Sequence, residues 1–398
     1  MPDYSHKKLI RITTAPMAFK YLLNGQMRFM AVNGFNVLMI SADGKEVTEI
    51  IENEQCPHIV VPMTRKITLI SDLKCVIKLI KIFRKEKPDI VHTHTPKAGL
   101  LGMISAALTG VPIRLHSNSG TPLIIATGLK RAMYFFTEYL TCKTATLVLP
   151  NSQSLLNYLA AANVCKKDKL VLVGKGSTNG IECAYFSKKA VEINEQEHLK
   201  KTINWDINNF YFLFAGRILS SKGVGELVQA FITIHKINPS VRLILAGAIE
   251  KNLDPLPDEI VNQIEMHPAI HTLGWVTDIR PAMSIANVLV HPSHREGFSN
   301  VLLQAGAMEL PVICSDCIGN IDIVMDKINA VVFPVKNTND LQKALVFATN
   351  NRNEMKNYAV ALYDHVKSNF EKIIVQQKLL EFYNARLAQH MNNISKAK

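Results

Sequence analysis

The chain has 398 residues, of which 48% are hydrophobic and 20% are charged, and its formal net charge is +12. This length exceeds what one hydrophobic core usually organises, so we expect two domains, and the composition excludes a disordered, collagen-like or coiled-coil chain. No apolar run of about 18 residues occurs, and the first residues lack an apolar core behind their charges. We therefore predict neither a transmembrane helix nor a signal peptide, and expect a cytoplasmic protein.

The positive charge is confined to the first half of the chain. Residues 1–185 hold 23 Lys and Arg against 12 Asp and Glu, whereas residues 186–398 hold 22 against 21. The first half is therefore expected to meet an anionic partner. The seven cysteines are scattered, which is typical of free thiols. Cys314 and Cys317 form a C-x-x-C, but no second pair or nearby histidine completes a metal site.

Strand-like and helix-like segments alternate along the first half. Strands are predicted at 9–12, 36–41, 89–93 and 113–116, and helices at 20–33, 71–87 and 98–109. This alternation predicts repeated βαβ units that form a parallel sheet covered on both faces. Ligands of such sheets bind beyond the carboxyl ends of the strands.

The second half repeats this pattern after a polar stretch at 187–209, which is predicted to connect a domain of residues 1–186 to one of residues 187–369. Strands follow at 211–215, 242–247, 288–291 and 311–315, with helices at 223–236 and 301–308. Residues 340–388 have a mostly helical pattern, and a helix at about 370–390 is expected to pack back on the first domain.

The first motif lies between a predicted strand and a helix, where free backbone N–H groups favour an anion. It reads F-A-G-R-I-L-S-S-K-G from residue 214 and includes Gly216, Arg217 and Lys222. A guanidinium fork and an ammonium point charge together suit a diphosphate. The alternative is an ordinary turn with two solvated cations.

The second motif spans residues 291–308 and contains H-R-E-G-F-S-N. Gly297 allows close backbone approach to a ligand, and Ser299 is a candidate N-cap for the next helix. Glu296 is expected before that helix and Gln304 inside it. Carboxylate and amide groups suit the recognition of sugar hydroxyls. The alternative is a capped surface helix.

Together the two motifs resemble the signature of the retaining glycosyltransferases of family 4, namely G-R-x4-K-G followed by E-G-F-x-N-x3-E. The stretches at 92–99, 174–180, 273–275 and 319–322 also fall in the family's order, so the resemblance covers nearly the whole chain. Within that family, the chain looks most like bacterial enzymes that build capsular, O-antigen and other lipid-linked glycans.

The resemblance implies an α/β GT-B fold, in which two Rossmann-like, doubly wound domains face a central cleft. It implies that Gly216, Arg217 and Lys222 hold the donor diphosphate. The transferred sugar would be bound by the Glu296 side chain and by the backbone of Gly297, Phe298, Ser299 and Asn300. No cofactor and no metal are expected beside the nucleotide sugar.

This sequence departs from the family pattern at two positions. The family's second glutamate, which binds ribose hydroxyls, is replaced by Gln304, and weaker donor binding is predicted because an amide loses the charge-assisted part of that bond. Ser119 stands where relatives place a histidine or arginine near the reacting sugar. His116 is either a replacement polar group or a strand-end histidine, and both are candidate catalytic residues beside Arg217, Lys222 and Glu296.

On the acceptor side, the resemblance implies that His94 and Lys97 meet an acceptor phosphate. The predicted helix at 73–87 has two faces, an apolar one expected to pack and a lysine-rich one expected to meet an anionic membrane. The alternative for the lysine-rich face is a solvated helix surface. The apolar face consists of Leu73, Val76, Ile77, Ile80 and Phe83. No aromatic-rich basic platform accompanies the charge, which argues against nucleic acid. The lysines of this helix are Lys74, Lys78, Lys81 and Lys85.

The leading hypothesis is therefore transfer of a sugar from a uridine diphosphate donor to a lipid-linked saccharide, with retention of configuration, at the inner face of the cytoplasmic membrane. Two alternatives stay open. One is a catalytically weak nucleotide-sugar-binding subunit of a glycan assembly complex, which Gln304 and Ser119 motivate. The other is a sugar-nucleotide epimerase, which would leave the basic first half without a role.

Overall fold

The structure is a computed structural model that describes residues 7–64, 66, 68–250 and 254–397. The chain forms two compact units. Unit 1 comprises the residues up to 179 together with those from 373 onward, and unit 2 comprises residues 180–372. Within the described ranges, no helix is long and apolar enough to cross a membrane.

Unit 1 contains a parallel sheet of six strands in the order β3-β2-β1-β4-β5-β6. Helices join successive strands, which is the doubly wound arrangement predicted from the alternating pattern. Its elements are β1 Lys7–Ile12, α1 Met17–Tyr21, α2 Gln26–Val32, β2 Phe35–Ser41, α3 Val47–Glu54, β3 His58–Val60, α4 Leu69–Glu86, β4 Ile90–His94, α5 Pro96–Leu108, β5 Ile113–Asn118, α6 Gly128–Thr144, β6 Leu147–Pro150 and α7 Gln153–Ala161.

The single helix predicted at 20–33 is wrong, because the chain breaks there into α1 and α2. Gly25 has a left-handed φ of 73°, which interrupts the helical backbone. Glu54 of α3 then accepts hydrogen bonds from the backbone N–H groups of Gly25 (2.5 Å) and Arg28 (2.9 Å). A side chain from a neighbouring helix thus satisfies donors at the start of α2.

The face assignment of α4 was partly wrong. Leu73 and Ile77, expected to pack, are 60% and 47% exposed. The buried stripe consists instead of Cys75, Leu79, Ile82 and Phe83, whose spacing of four, three and one residues is that of a single helical face. The four lysines of α4 are exposed as predicted.

Unit 2 contains a second parallel sheet of six strands, in the order β12-β11-β10-β7-β8-β9. In both sheets the first strand lies between the second and the fourth, so both have the Rossmann strand order. Its elements are α8 Ile193–Thr202, β7 Phe210–Ala215, α9 Val224–Ile237, β8 Val241–Ala246, α10 Asp258–Met266, β9 Ile270–Gly274, α11 Arg280–Ile285, β10 Val288–His291, α12 Asn300–Ala307, β11 Val312–Ser315, β12 Val331–Phe333, α13 Thr338–Asn350 and α14 Arg352–Phe370.

The polar stretch at 187–209 is not an unstructured connector, because it contains α8. Although α8 buries no residue completely, Leu199 and the nearby Trp205 pack partly buried against the core of unit 2. Residues 180–186, which the sequence assigned to the first domain, also belong to unit 2. Ile181 exchanges backbone hydrogen bonds with Phe370 and Lys372, both at 2.8 Å.

The last helix, α15 Lys372–Ala397, packs in unit 1 from residue 373 onward. Leu379, Tyr383 and Leu387 lie in the same core cluster as Leu9 of β1. Helix α15 therefore covers the face of the unit 1 sheet toward which the side chain of Arg11 points, since Arg11 donates a hydrogen bond to the Tyr383 hydroxyl at 2.7 Å.

Candidate functional site

The two sequence motifs meet at the carboxyl edge of the unit 2 sheet. They form the loops that follow β7 and β10, which are neighbouring parallel strands. This is the point where the strand order reverses, the usual ligand position in doubly wound sheets. The loops touch directly, since the backbone N–H of His294 donates to the carbonyl of Ser221 at 2.9 Å.

Gly223 allows this close approach between the loops. Its φ of 69° is left-handed, and it directly precedes α9. A Cβ atom built on Gly223 would collide with the backbone carbonyl of Pro292 in the other loop. Any other residue would thus be strained and would also separate the loops.

A buried carboxylate with two basic partners lies where the loops meet. The Nζ of Lys222 donates to Oε1 of Glu296, and the Nε2 of His291 lies 3.0 Å from the same oxygen. The Glu296 side chain is 15% exposed. Burial alone would raise the pKa of Glu296, but the Lys222 charge and the His291 hydrogen bond outweigh it and hold that pKa far below its usual range. Glu296 is therefore ionised.

Ser299 occupies the N-cap position of α12, as predicted, but its hydroxyl caps no backbone N–H group. Instead its Oγ lies 3.1 Å from Nε2 of His291, which also contacts Glu296. The hydroxyl thus helps to orient the histidine. No backbone N–H group at the start of α12 donates to the Ser299 hydroxyl, so the predicted side-chain capping role was wrong.

A third loop, after β11, supports the segment around Glu296. The backbone N–H of Glu296 donates to the carbonyl of Ile318 at 3.1 Å. A Cβ on Gly319 would come within 2.9 Å of the Gly297 carbonyl group, so Gly319 packs against that backbone. Apart from the place of Gly319 in the resemblance, no sequence pattern indicated this support.

The remaining donor-side residues differ in how far they are engaged. Arg217 is exposed, and its side chain forms no hydrogen bond or ion pair within the described ranges. Gln304 lies in α12, is partly buried, and likewise has no side-chain partner among the residues described. Phe298 packs its ring 5.3 Å from that of Phe370. Only the backbone of Phe298 is therefore available to a ligand, as the resemblance implies.

In unit 1, the two predicted acceptor residues are both engaged with other side chains. Lys97 forms an ion pair with Asp72 at 2.5 Å, and its side chain is 10% exposed. His94 is buried at the end of β4, with its Nε2 2.6 Å from a guanidinium nitrogen of Arg11. His94 also lines a cavity in unit 1, whereas Lys97 does not.

The structure does not bring His116 and Ser119 together. His116 lies inside β5, and its ring sits against Gly99 of α5, where a Cβ would collide with it. Burial lowers the pKa of His116 to about 4, so the imidazole is neutral. Ser119 is exposed, and its Oγ lies 3.3 Å from the hydroxyl of Thr178.

The C-x-x-C pair is buried. Burial raises the pKa of Cys317 to about 12 and also raises that of Cys314, so both are protonated thiols. Over the described ranges, no group of three or more His, Cys, Asp or Glu side chains is arranged to hold a metal ion.

Comparison with known proteins defines the class to which this fold and site belong. Residues 209–351 match the family described as glycosyl transferases group 1, and residues 12–153 match the family described as glycosyl transferase 4-like. The chain therefore belongs to this family of glycosyltransferases and has the GT-B type of fold.

Particular relatives extend over most of the chain. The capsular polysaccharide biosynthesis glycosyltransferase CapM of Staphylococcus aureus is 31% identical over 384 residues, which cover 96% of this chain and 98% of CapM. An Escherichia coli UDP-Gal:alpha-D-GlcNAc-diphosphoundecaprenol alpha-1,3-galactosyltransferase is 28% identical over 80% of this chain and 81% of its own length. The similarity of this chain to both relatives therefore extends over most of its sequence.

Solved structures share the fold at lower identity. A glycosyltransferase from Rickettsia africae superposes with a TM-score of 0.77 at 19% identity, covering 96% of this chain and 99% of that one. Anabaena HepE in complex with UDP-glucose also gives 0.77, at 16% identity, covering 96% of this chain and all of HepE. At such identities the likeness establishes the architecture alone.

Proposed function

We propose that this protein transfers a sugar from a uridine diphosphate donor to a lipid-linked saccharide during the synthesis of a surface polysaccharide, with retention of anomeric configuration. The observation that carries this proposal is the ionised Glu296, which is paired with Lys222 at the strand-order reversal of unit 2. Arg217 lies in the same loop as Lys222 and is exposed. The activity of the Escherichia coli relative supports the donor and acceptor classes, and the role of CapM in capsular polysaccharide biosynthesis supports the product class.

The donor diphosphate is assigned to the loop after β7. Arg217 has no partner among the described residues, so its guanidinium can bind two phosphate oxygens at once. Lys222 adds a second positive charge a few residues along. Both charges stabilise the diphosphate more strongly as it leaves with developing negative charge, which is the condition for lowering the reaction barrier.

The transferred sugar is assigned to Glu296 and the backbone of Gly297, Phe298, Ser299 and Asn300. An ionised carboxylate accepts hydrogen bonds from sugar hydroxyls, and the backbone N–H groups next to it donate. The negative charge of Glu296 also favours the oxocarbenium-like character of a sugar that is losing its diphosphate. Lys222 links both halves of the donor site, because it contacts Glu296 and belongs to the diphosphate loop.

The second candidate, a weak nucleotide-sugar-binding subunit, rests on Gln304. Its side chain is available to a ribose but carries no charge. A thermal-shift screen of nucleotide sugars tests the donor class, since a ligand that binds only the folded state raises apparent stability as its concentration rises. Stabilisation by uridine nucleotide sugars with transfer to a lipid-linked acceptor supports the transferase. Stabilisation without transfer or hydrolysis favours the binding subunit, and no stabilisation by any nucleotide sugar contradicts both.

We propose that Ser119 lies on the acceptor side of the reaction and that His116 has a packing role. Ser119 is exposed in the loop after β5, whereas the ring of His116 is buried against Gly99. Since retention depends on stabilising the leaving phosphate more than on a strong base, the catalytic set Arg217, Lys222 and Glu296 remains sufficient. The proposal requires no metal ion, and loss of transfer in the presence of a chelator would contradict that part of it.

Peripheral binding to an anionic membrane is assigned to the outer faces of α4 and α6. Helix α5 packs between these helices. On α4, the exposed Leu73 and Ile77 lie beside the exposed lysines. On α6, Leu129 is 91% exposed and Phe136 is 64% exposed. Apolar side chains flanked by cations are typical of helices that lie in a lipid interface.

The charge of these two outer faces is complementary to anionic lipid. Asp72 of α4 is neutralised by Lys97, Glu86 of α4 pairs with Lys8, and Glu138 of α6 is buried. Each Lys or Arg near an anionic bilayer contributes about 1 kcal/mol, so the lysines of α4 suffice for reversible binding. The proposed site of action is therefore the inner face of the cytoplasmic membrane, where a lipid-linked acceptor would be.

A further inference from the structure

Unit 1 contains a buried cation without a counter-ion. Arg11 of β1 is fully buried, and its guanidinium donates to the Tyr383 hydroxyl (2.7 Å), to Oε1 of Gln26 (2.5 Å) and to Nε2 of His94 (2.6 Å). All three partners are neutral. No carboxylate among the described residues forms an ion pair with Arg11, although the field of Glu54 acts on it from a distance. Burying such a charge is costly unless an anion compensates it.

The hydrogen bond from Arg11 fixes the tautomer of His94. A guanidinium only donates, so Nε2 of His94 must accept and its ring proton must sit on Nδ1. This Nδ1–H is buried and has no hydrogen-bond partner in the described part of the chain. Burial and the charge of Arg11 keep the pKa of His94 well below its usual value, so the ring does not gain a second proton.

A second chain of hydrogen bonds leads from Arg11 through Tyr383 and His92 to Ser117. The Tyr383 hydroxyl accepts from Arg11, so its own proton finds an acceptor only in Nδ1 of His92, 2.5 Å away. The proton of His92 therefore sits on Nε2 and is donated to Oγ of Ser117 at 2.7 Å. The hydroxyl proton of Ser117 then has no acceptor within the described part of the chain and is available as a donor.

Both chains of hydrogen bonds end at one cavity in unit 1. His94 and Ser117 line it, together with Asn151, whose buried Oδ1 also lacks a partner among the described residues. Val375 and Leu379 of α15 form an apolar wall. The cavity thus presents two donors, each polarised by the same buried guanidinium. A water molecule would satisfy the donors but would leave the charge of Arg11 uncompensated.

We propose that this cavity binds an anionic oxygen group, a phosphoryl or carboxylate group, through the Nδ1–H of His94 and the hydroxyl of Ser117, with Arg11 as its counter-ion. The site lies wholly in unit 1 and is separate from the donor site. Assigning the anion to the acceptor rests on the proposed function; the existence of the site does not. Arg11 and Ser117 are positioned by β1 and β5, so the site is built on strands rather than on loops.

The test uses the full-length protein with 15N-labelled histidine, whose ring nitrogens report tautomer and hydrogen bonding. Before any anion is added, His94 is expected as the Nδ1–H tautomer and His92 as the Nε2–H tautomer; the reverse assignment for either ring overturns the proposal. Addition of inorganic phosphate should then shift the His94 signals saturably, whereas chloride at equal ionic strength should not. Acetate and glucuronate are titrated in the same way as carboxylates. The class of anion that shifts the His94 signals saturably identifies the group that the cavity binds.

Variants separate binding from folding. Ser117→Ala removes one donor and should weaken anion binding about 5- to 15-fold. Ser105→Ala is the matched control, because Ser105 is also buried in unit 1 but its hydroxyl donates to the carbonyl of Leu101 in its own helix. Because phosphate also has a predicted site in unit 2, the titration is repeated in Arg217→Ala, which should leave the His94 response unchanged.

The outcomes also distinguish this site from the proposed function. Saturable phosphate or carboxylate binding at His94 in a protein without transferase activity supports the cavity and contradicts the proposed function. Sugar transfer with a His94 signal that responds to no anion contradicts the cavity alone. Equal binding by wild type and Ser117→Ala also overturns the proposal, since the hydroxyl would then not contact the anion.

Discussion

Lys222 donates a hydrogen bond to the carboxylate of Glu296, a residue 74 positions further along the chain. The contact exists because β7 and β10 are neighbours in the unit 2 sheet, which brings the loops after them to one edge. It joins the cation assigned to the donor diphosphate to the carboxylate assigned to the donor sugar. The proposed transfer of a sugar by this protein depends on that pair.

Replacement of Glu296 by Gln is expected to lower kcat about 100- to 1,000-fold, because the amide keeps the shape but loses the charge that favours the developing positive sugar. Steady-state transfer kinetics measure the effect. Glu309→Gln is the matched control, since Glu309 is exposed just beyond α12. A kcat within a few-fold of wild type for Glu296→Gln would show that the carboxylate has no part in the reaction.

Gln304→Glu is expected to tighten nucleotide-sugar binding about 3- to 10-fold, because a carboxylate forms charge-assisted hydrogen bonds to ribose hydroxyls. Calorimetric titration with the donor identified by thermal shift measures it. Gln304→Ala should weaken the same binding, which controls for steric change. Unchanged affinity in both variants would remove Gln304 from the donor site.

Gly223→Ala is expected to destabilise the protein by more than about 2 kcal/mol, because the side chain meets the Pro292 carbonyl at a left-handed backbone position. Gly225→Ala, two residues later in α9, has only Ile260 near the new Cβ, at 4.0 Å. That substitution should stabilise the helix by about 0.5–1 kcal/mol. Denaturant unfolding compares the two, and equal stabilities would contradict the described contact between the loops.

Glu138 should make stability depend on pH in a defined direction. Burial raises the pKa of Glu138 to about 7, against weaker opposing hydrogen bonds from Thr121 and Asn118. The folded state thus holds a proton that the unfolded state loses above its ordinary value of about 4.3. The stabilisation that the protonated Glu138 contributes is fully present below the pKa of the unfolded state and is lost as pH rises toward 7.

In Glu138→Gln the corresponding loss of stability between about pH 4.5 and 7 should disappear, because an amide does not titrate. Chemical denaturation across this pH range measures the slope. Glu52→Gln, at an exposed position on α3, should keep the wild-type slope. An unchanged slope in Glu138→Gln would contradict the raised pKa.

Sedimentation with liposomes tests the membrane face. The double variant Leu129→Ser and Phe136→Ser should bind anionic vesicles at least about 100-fold more weakly, because moving each apolar side chain out of water into the bilayer stabilises binding by roughly 1.5–3 kcal/mol. Val32→Ser is the control, since Val32 is an exposed apolar residue of α2. Equal binding to neutral and anionic vesicles would exclude a role for the basic charge of unit 1.

The predicted strands were found because buried parallel strands are continuous apolar runs, such as the one around Leu9. Local pattern missed α8, whose packing depends on the tertiary neighbours of Leu199 and Trp205. The break at Gly25 was missed because a glycine inside a helical pattern is often tolerated.

The resemblance to the family predicted the donor-side residues, but it did not predict which of them contact each other. The contact of Lys222 with Glu296 follows from the order of the strands in the sheet, which cannot be derived from the sequence pattern alone. Arg11 was missed altogether, although a charged residue within an apolar strand was its available signal. His94 was predicted to meet an acceptor phosphate, but the Arg11 guanidinium that donates to its ring and polarises it was not predicted.

The most direct test of the central claim is the NMR analysis of the product formed from a uridine nucleotide sugar and an undecaprenyl-diphosphate-linked saccharide, with a chelator present. We predict a new glycosidic bond with the anomeric configuration of the donor, formed by the wild type and lost in Glu296→Gln. An inverted product, or transfer that Glu296→Gln leaves intact, would contradict the account.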